Sequence, residues 1–228
     1  MGWWIHEYYQ AGRIVELVSW LFWVPFAITL HELAHGWAAL WQGDDTPRRQ
    51  GRMTANPLVH MGGFSLLMFA LIGIAWGVMP VNPGKFRWGR RGRIVVSGAG
   101  PAMNVALSFV SLTLLVAWLA IAPSDSTLYR NIALFLWTGG WLNLILALFN
   151  MLPIPPLDGA SVLSGMSFHL YKFFQRSQSQ MIGMFLVLLI FFSGCGSGVF
   201  TVSMRLAAAY VDLVSGVLGT PGLGEGIG

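Results

Sequence analysis

No Asp, Glu, Lys or Arg interrupts the chain between Arg93 and Asp125, between Arg130 and Asp158, or between Arg176 and Arg205. Each run exceeds the roughly 20 apolar residues that cross the hydrocarbon core of a bilayer. Water is absent there, so every backbone polar group must be bonded internally and lipid-exposed segments must be helical. The expectation is an all-α, polytopic membrane bundle of about five to six transmembrane segments. Charged residues make up only 10% of the chain, against about 25% in soluble domains. This excludes an ordinary soluble enzyme, a disordered chain and a nucleic-acid binder. The net charge of +4 reflects scarce acids more than abundant bases. The single cysteine, Cys195, excludes an intrachain disulfide framework and any multi-cysteine metal site. The N-terminus lacks the basic-then-apolar pattern of a cleaved secretory signal.

Residues 1–13 carry Trp3, Trp4, Tyr8 and Tyr9 among polar neighbours and are expected at the headgroup layer. Residues 14–40 form the first apolar span and 42–52 a polar loop. Residues 53–60 alternate partly and are expected to be extended. Residues 64–79 are apolar but short, with Gly73 and Gly77 inside and Pro80 after them. A basic stretch over 81–93 leads into spans over 94–122 and 127–152. Residues 158–180 read as a surface or half-buried helix. Apolar stretches over 181–192 and 199–218 close the chain, separated by a Gly/Cys/Ser turn. Gly98 and Gly100 are candidates for close helix packing, as small residues are in membranes.

Ionisable side chains inside a membrane span are costly and mark function by default. The first span holds three, in His31-Glu32-Leu33-Ala34-His35. Positions i and i+4 lie one above the other on a helix, so His31 and His35 can reach one tetrahedral zinc ion. Glu32, one residue round, is placed to act on water as a general base. A catalytic zinc takes a third protein ligand and keeps one position open. The candidates are Asp158, His60, His169, Asp125, Glu16 and Cys195. Asp158 is preferred because it follows the stiff run Pro153-Ile154-Pro155-Pro156, and such non-helical chain is tolerated only along a protein-lined cavity. Its other reading is a cap on the helix that follows. His60 reads either as a turn-stabilising residue or as a gating group.

Three stretches together resemble the signatures of the site-2 protease family. They are the His31–His35 motif, Gly100-Pro101-Ala102-Met103-Asn104, and Asn150-Met151-Leu152-Pro153-Ile154-Pro155-Pro156-Leu157-Asp158-Gly159. Gly51–His60 and Pro80–Arg87 resemble its compact bacterial branch, which lacks appended domains. Where that branch often has an Asp-Pro pair beyond His60, this chain reads Met61-Gly62-Gly63. The resemblance implies an intramembrane zinc endopeptidase acting on transmembrane protein substrates in the lipid bilayer of a bacterial cell. It implies one zinc on His31, His35 and Asp158, Glu32 as base, and Asn150 positioning the substrate or stabilising the oxyanion. Asn104 is implied to be a helix-packing or cavity residue. The expected organisation is one membrane domain over 1–228. It comprises an interfacial segment (1–13), a catalytic core (14–163), and C-terminal helices and tail (164–228). Two other classes use similar residues: a zinc-binding transporter, which usually shows an internal repeat that this chain lacks, and an inactive scaffold, which has no need of Glu32.

For His31, His35 and Asp158 to share an ion, the first span and 127–152 must exit on one side. That requires 64–79 to be re-entrant rather than fully crossing. In that arrangement one face receives Arg48, Arg49, Arg52, the five basic residues from Lys85 to Arg93, Lys172 and Arg176, and the other only Arg13 and Arg130. The positive-inside rule then places the N-terminus outside and the metal near the cytoplasmic side.

Overall fold

The computed structural model describes residues 3–121, 126–193, 196–220 and 222, with the backbone alone at 191 and 192. The described residues form α1 (Trp4–Gln10), α2 (Ile14–Trp41), α3 (Thr46–Arg49), α4 (Pro57–Ile72), α5 (Arg90–Ile121), α6 (Thr127–Asn150), α7 (Asp158–Met166), α8 (Phe168–Phe174), α9 (Ser177–Phe192) and α10 (Ser197–Leu218). One short 3-10 turn, Pro83–Lys85, precedes α5. There is no strand among the described residues. Helices α2, α5, α6 and α10 are long and apolar enough to cross a membrane, while α4 and the apolar part of α9 are shorter. The protein is an all-helical membrane bundle.

Helices α2, α5 and α6 make its centre. Trp23, Ala27, Leu112, Leu115, Val116, Ala133 and Leu142 pack there, together with Ala207 and Val211 of α10. Glycines bring α6 close. A Cβ added at Gly139 would strike the Trp23 ring, and one at Gly140 would strike Leu112. Side chains tie the helices to each other's backbone: Trp23 Nε1 donates to Phe135 O at 2.9 Å and Ser111 Oγ to Leu136 O at 2.7 Å. Such bonds and small residues hold membrane helices together where apolar surface gains nothing from leaving lipid.

Between α2 and α5 the chain goes out and comes back. Asn56 caps α4 by accepting from Leu58 N, and Pro57 occupies the first turn, where a missing N–H costs nothing. Gly62, in the Met61-Gly62-Gly63 segment, has φ 69° and kinks the helix. Gly73 ends it in the left-handed conformation. Trp3 and Trp4 donate to Ala70 O, a last-turn carbonyl without a helical partner. Residues 74–82 then run back without helix. Val78 N donates to His60 O, and Asn82 N donates to Asp44 Oδ2 at 2.6 Å. Lys85 Nζ lies 2.7 Å from Asp45 Oδ1 and holds that carboxyl below its ordinary pKa. The chain thus returns to the end of α2 that it left, as expected of a re-entrant element.

Three local expectations are corrected. Residues 53–60 are not an extended segment: 57–60 are the first turn of α4, and the longer stretch without helix is the return over 74–82. The proline at 57 starts a helix as readily as it ends one. Residues 158–180 divide into α7, α8 and the start of α9. Gly98 has nothing within contact distance of an added Cβ, so close packing rests on Gly100. Asp125, Cys195 and the last residues of the tail lie outside the described residues.

Candidate metal centre

His31 and His35 occupy the buried face of α2 one turn apart, with ring centroids 4.7 Å apart and planes at 83°. Their Nε2 atoms are 3.0 Å from each other. Asp158 opens α7, yet its side chain caps nothing there. Its Oδ2 instead lies 3.1 Å from His31 Nε2 and 3.3 Å from His35 Nε2. Three donor atoms therefore form a nearly equilateral triangle. Among the described residues these three are the group able to hold a metal ion.

The hydrogen bonds behind the rings determine what the triangle is. His35 Nδ1 is 2.7 Å from Val96 O, which can only accept, so Nδ1 carries the proton. His31 Nδ1 is 2.6 Å from Asn104 Oδ1 and donates to it. Both neutral rings then present bare Nε2 lone pairs to each other and to a carboxylate oxygen. Asp158 Oδ2 is accordingly buried with no hydrogen-bond donor. Three facing lone pairs repel one another, and a cation held between them makes the arrangement favourable. A tetrahedral zinc ion with bonds of about 2.0–2.1 Å needs donors about 3.3 Å apart. The observed 3.0, 3.1 and 3.3 Å fit that requirement.

Two glycines shape the surroundings. A Cβ on Gly100 of α5 would collide with Nε2 of both histidines. A Cβ on Gly77 of the extended return would lie 2.6 Å from Glu32 Oε1. Glu32 is 6% exposed, and no described residue hydrogen-bonds its carboxylate. Gly159 lets α7 start against the end of α6, because a Cβ there would strike Met151 O and Leu152 O.

The other candidates sit elsewhere. Glu16 pairs with Arg13, and at 1.5 Å per residue it stands roughly 22 Å along α2 from His31. His169 is exposed on α8. His60 is buried, and its Nε2 donates to Thr54 O at 2.6 Å, closing the turn before α4. Asn150, the last residue of α6, donates from Nδ2 to Leu146 O at 2.9 Å rather than to any of the three donors. Sequence reasoning missed Asn143, which is fully buried and bonded to Asn104. It also missed Gly77. An amide in the middle of a charge-free span is the signal that could have exposed Asn143.

Comparison with known proteins follows this geometry. Residues 116–193 match the model for Peptidase family M50, a stretch that carries Asn150 and Asp158. YwhC of Bacillus subtilis is 36% identical over 162 residues, which cover 68% of this chain and 71% of the relative. The chain belongs to peptidase family M50, the site-2 protease family. MJ0611 of Methanocaldococcus jannaschii is 35% identical over 163 residues, 70% of this chain and 75% of the relative. Rip2 of Mycolicibacterium smegmatis is 31% identical over 160 residues, 68% of this chain and 58% of the relative. Each of the three is named "Putative zinc metalloprotease". No solved structure matches this M50 peptidase significantly.

Proposed function

We propose that this M50 peptidase is an intramembrane zinc endopeptidase that hydrolyses peptide bonds within or near transmembrane segments of membrane proteins. The observation that carries the reading is the triangle that Asp158 Oδ2 closes with His31 Nε2 and His35 Nε2, the two histidines lying on a helix apolar enough to span the bilayer. These three residues would hold one zinc ion, which when bound supplies Lewis-acid polarisation of the scissile carbonyl. Glu32 takes a proton from the attacking water and returns it to the leaving amine. Its free carboxylate beside the donor triangle suits that work. Asn150 steadies the substrate carbonyl from the end of α6. Residues 14–163 form the catalytic core within a single membrane domain, and the zinc is reached from the cytoplasmic side.

A helical peptide bond is shielded by its own hydrogen bonds, so the substrate must unwind before cleavage. The extended return is suited to receive it. Trp76 N and O both bond Ser65 Oγ, and Val78 N bonds His60 O. Gly77 and Met79, one residue out of that register, bond no described residue through their amides. An unwound substrate pairs with that edge, as peptides add to exposed strands, directly beside Glu32. An apolar cleft of about 490 Å³, lined by Trp20, Val24, Ile28, Ala75, Leu146 and Phe200 among others, leads to the start of this segment.

The test is cleavage of a reporter with one transmembrane segment by the full-length protein in liposomes, with the cut mapped by mass spectrometry. Zinc-dependent cutting within or beside the segment is the expected result. Zinc binding without any cutting would leave an inactive scaffold instead.

A further inference from the structure

We infer that Asn143, which touches no metal ligand, is a positioning residue that acts through Asn104 to hold His31 in the tautomer able to bind zinc. The inference rests on the metalloprotease reading and adds a residue and a role to it.

The chain of bonds has one direction. Asn143 Nδ2 donates to Gly139 O at 2.8 Å. A backbone carbonyl only accepts, so the amide of Asn143 cannot rotate end for end without setting its oxygen against another oxygen. Its Oδ1 therefore faces Asn104 and accepts from Asn104 Nδ2 at 2.9 Å. That in turn leaves Asn104 Oδ1 for His31, where it accepts from Nδ1 at 2.6 Å. His31 consequently keeps its proton on Nδ1 and its lone pair on Nε2, the atom 3.1 Å from Asp158 Oδ2.

Break the first link and the direction is lost. Asn104 is then free to present its NH₂ group to His31. The imidazole must now accept at Nδ1, its proton moves to Nε2, and the ligand position is blocked. Asn104 and Asn143 are both 0% exposed, so bulk water does not substitute for the missing partner. The relay crosses α6, α5 and α2 where Gly139 brings α6 against Trp23. His35 reaches the same end by a shorter route, through its single bond to Val96 O. Both imidazoles are thus locked by backbone carbonyls, one directly and one through two side-chain amides. Partners behind metal-bound histidines typically account for 10- to 100-fold in metal affinity.

The test is zinc affinity, measured by competition with a chromophoric chelator on the detergent-purified full-length protein, with melting of each zinc-free variant as a check on folding. Asn143→Ala is expected to weaken zinc binding by roughly 10- to 100-fold. Adding Asn104→Asp to Asn143→Ala is expected to restore it, because a carboxylate accepts from His31 Nδ1 in either orientation. A purely structural role for Asn143 predicts no such rescue. Unchanged affinity in Asn143→Ala, or no recovery in the double variant, overturns the proposal. ¹⁵N-histidine spectra of the zinc-free wild type check it without any variant: His31 is expected protonated at Nδ1, and an unprotonated Nδ1 overturns it. Wild-type protein that binds no zinc removes the metalloprotease reading and this inference together. Normal wild-type binding with an indifferent Asn143→Ala removes the inference alone.

Discussion

His31 Nε2 and His35 Nε2 face each other at 3.0 Å, and Asn104 Oδ1 and Val96 O hold a proton on each Nδ1, so that the neutral rings turn both Nε2 lone pairs to one point. Two lone pairs at that distance, with Asp158 Oδ2 closing the triangle, store a repulsion that a divalent cation relieves. Zinc is therefore expected to stabilise the fold as well as serve its chemistry. At free zinc a thousandfold above the dissociation constant, the gain is about 4 kcal/mol. Thermal melting with and without chelator measures it. Asp158→Asn, which removes a charged donor, is expected to lose most of the zinc-dependent shift.

Glu32→Gln keeps the volume of the side chain and removes its basicity. Zinc affinity is expected to stay near wild type, since Glu32 is not one of the three donors. Cleavage of a transmembrane reporter is expected to fall by about 10²- to 10⁴-fold, the usual worth of a general base. Retained cleavage removes Glu32 from that role.

Gly100→Ala places a methyl group against Nε2 of both histidines. The atoms that meet it are ring nitrogens pinned from behind, so they cannot move aside without breaking the bonds to Asn104 and Val96. Loss of zinc binding is the expected outcome, read by chelator competition. Gly98→Ala, two residues earlier and open around its Cβ position, is expected to bind zinc normally.

Gly77→Ala acts on the other side of the site. Its methyl group would fall 2.6 Å from Glu32 Oε1 and 2.8 Å from Ile28 Cγ2. The Glu32 side chain is flexible and yields, which carries its carboxylate away from the place where water is activated. Zinc affinity is expected to be preserved while reporter cleavage drops, a split that separates this variant from Gly100→Ala.

Cysteine labelling tests the re-entrant path in a Cys195→Ser background. Gln50→Cys and Pro80→Cys are expected to react from the same side of the membrane, since Asn82 N bonds Asp44 Oδ2 and Lys85 reaches Asp45. Gln10→Cys, at the end of α1, is expected to react from the opposite side. Labelling of positions 50 and 80 from opposite faces would falsify the out-and-back path.

Much of the bundle was legible because membrane insertion is a local, additive property of the chain. Starts and ends of α2, α6 and α10 agree with the apolar spans within a few residues, since glycine, proline, polar or charged residues mark the boundaries locally. The return over residues 74–82 was not legible. Its residues are as apolar as those of a helix, and its path is set by Ser65 and His60 on the preceding helix α4, contacts beyond the reach of local periodicity. Met53–His60 misled for the converse reason. Alternation over so few residues carries less weight than the cap at Asn56 and the proline that follows it.

The pairing of His31 with His35 needed only helical periodicity, because a spacing of four residues puts two side chains on one face wherever the helix lies. Asp158 was already preferred as third donor from the proline run before it, but its meeting with the pair belongs to tertiary structure: a carboxylate more than a hundred residues away joins them only because α5 and α6 pack on α2 and Gly159 lets α7 begin against the end of α6. The tautomer of His31 belongs to the same level. No local rule sets the position of an imidazole proton. It is settled by which atom of Asn104 faces the ring, and that depends on a carbonyl two helices away.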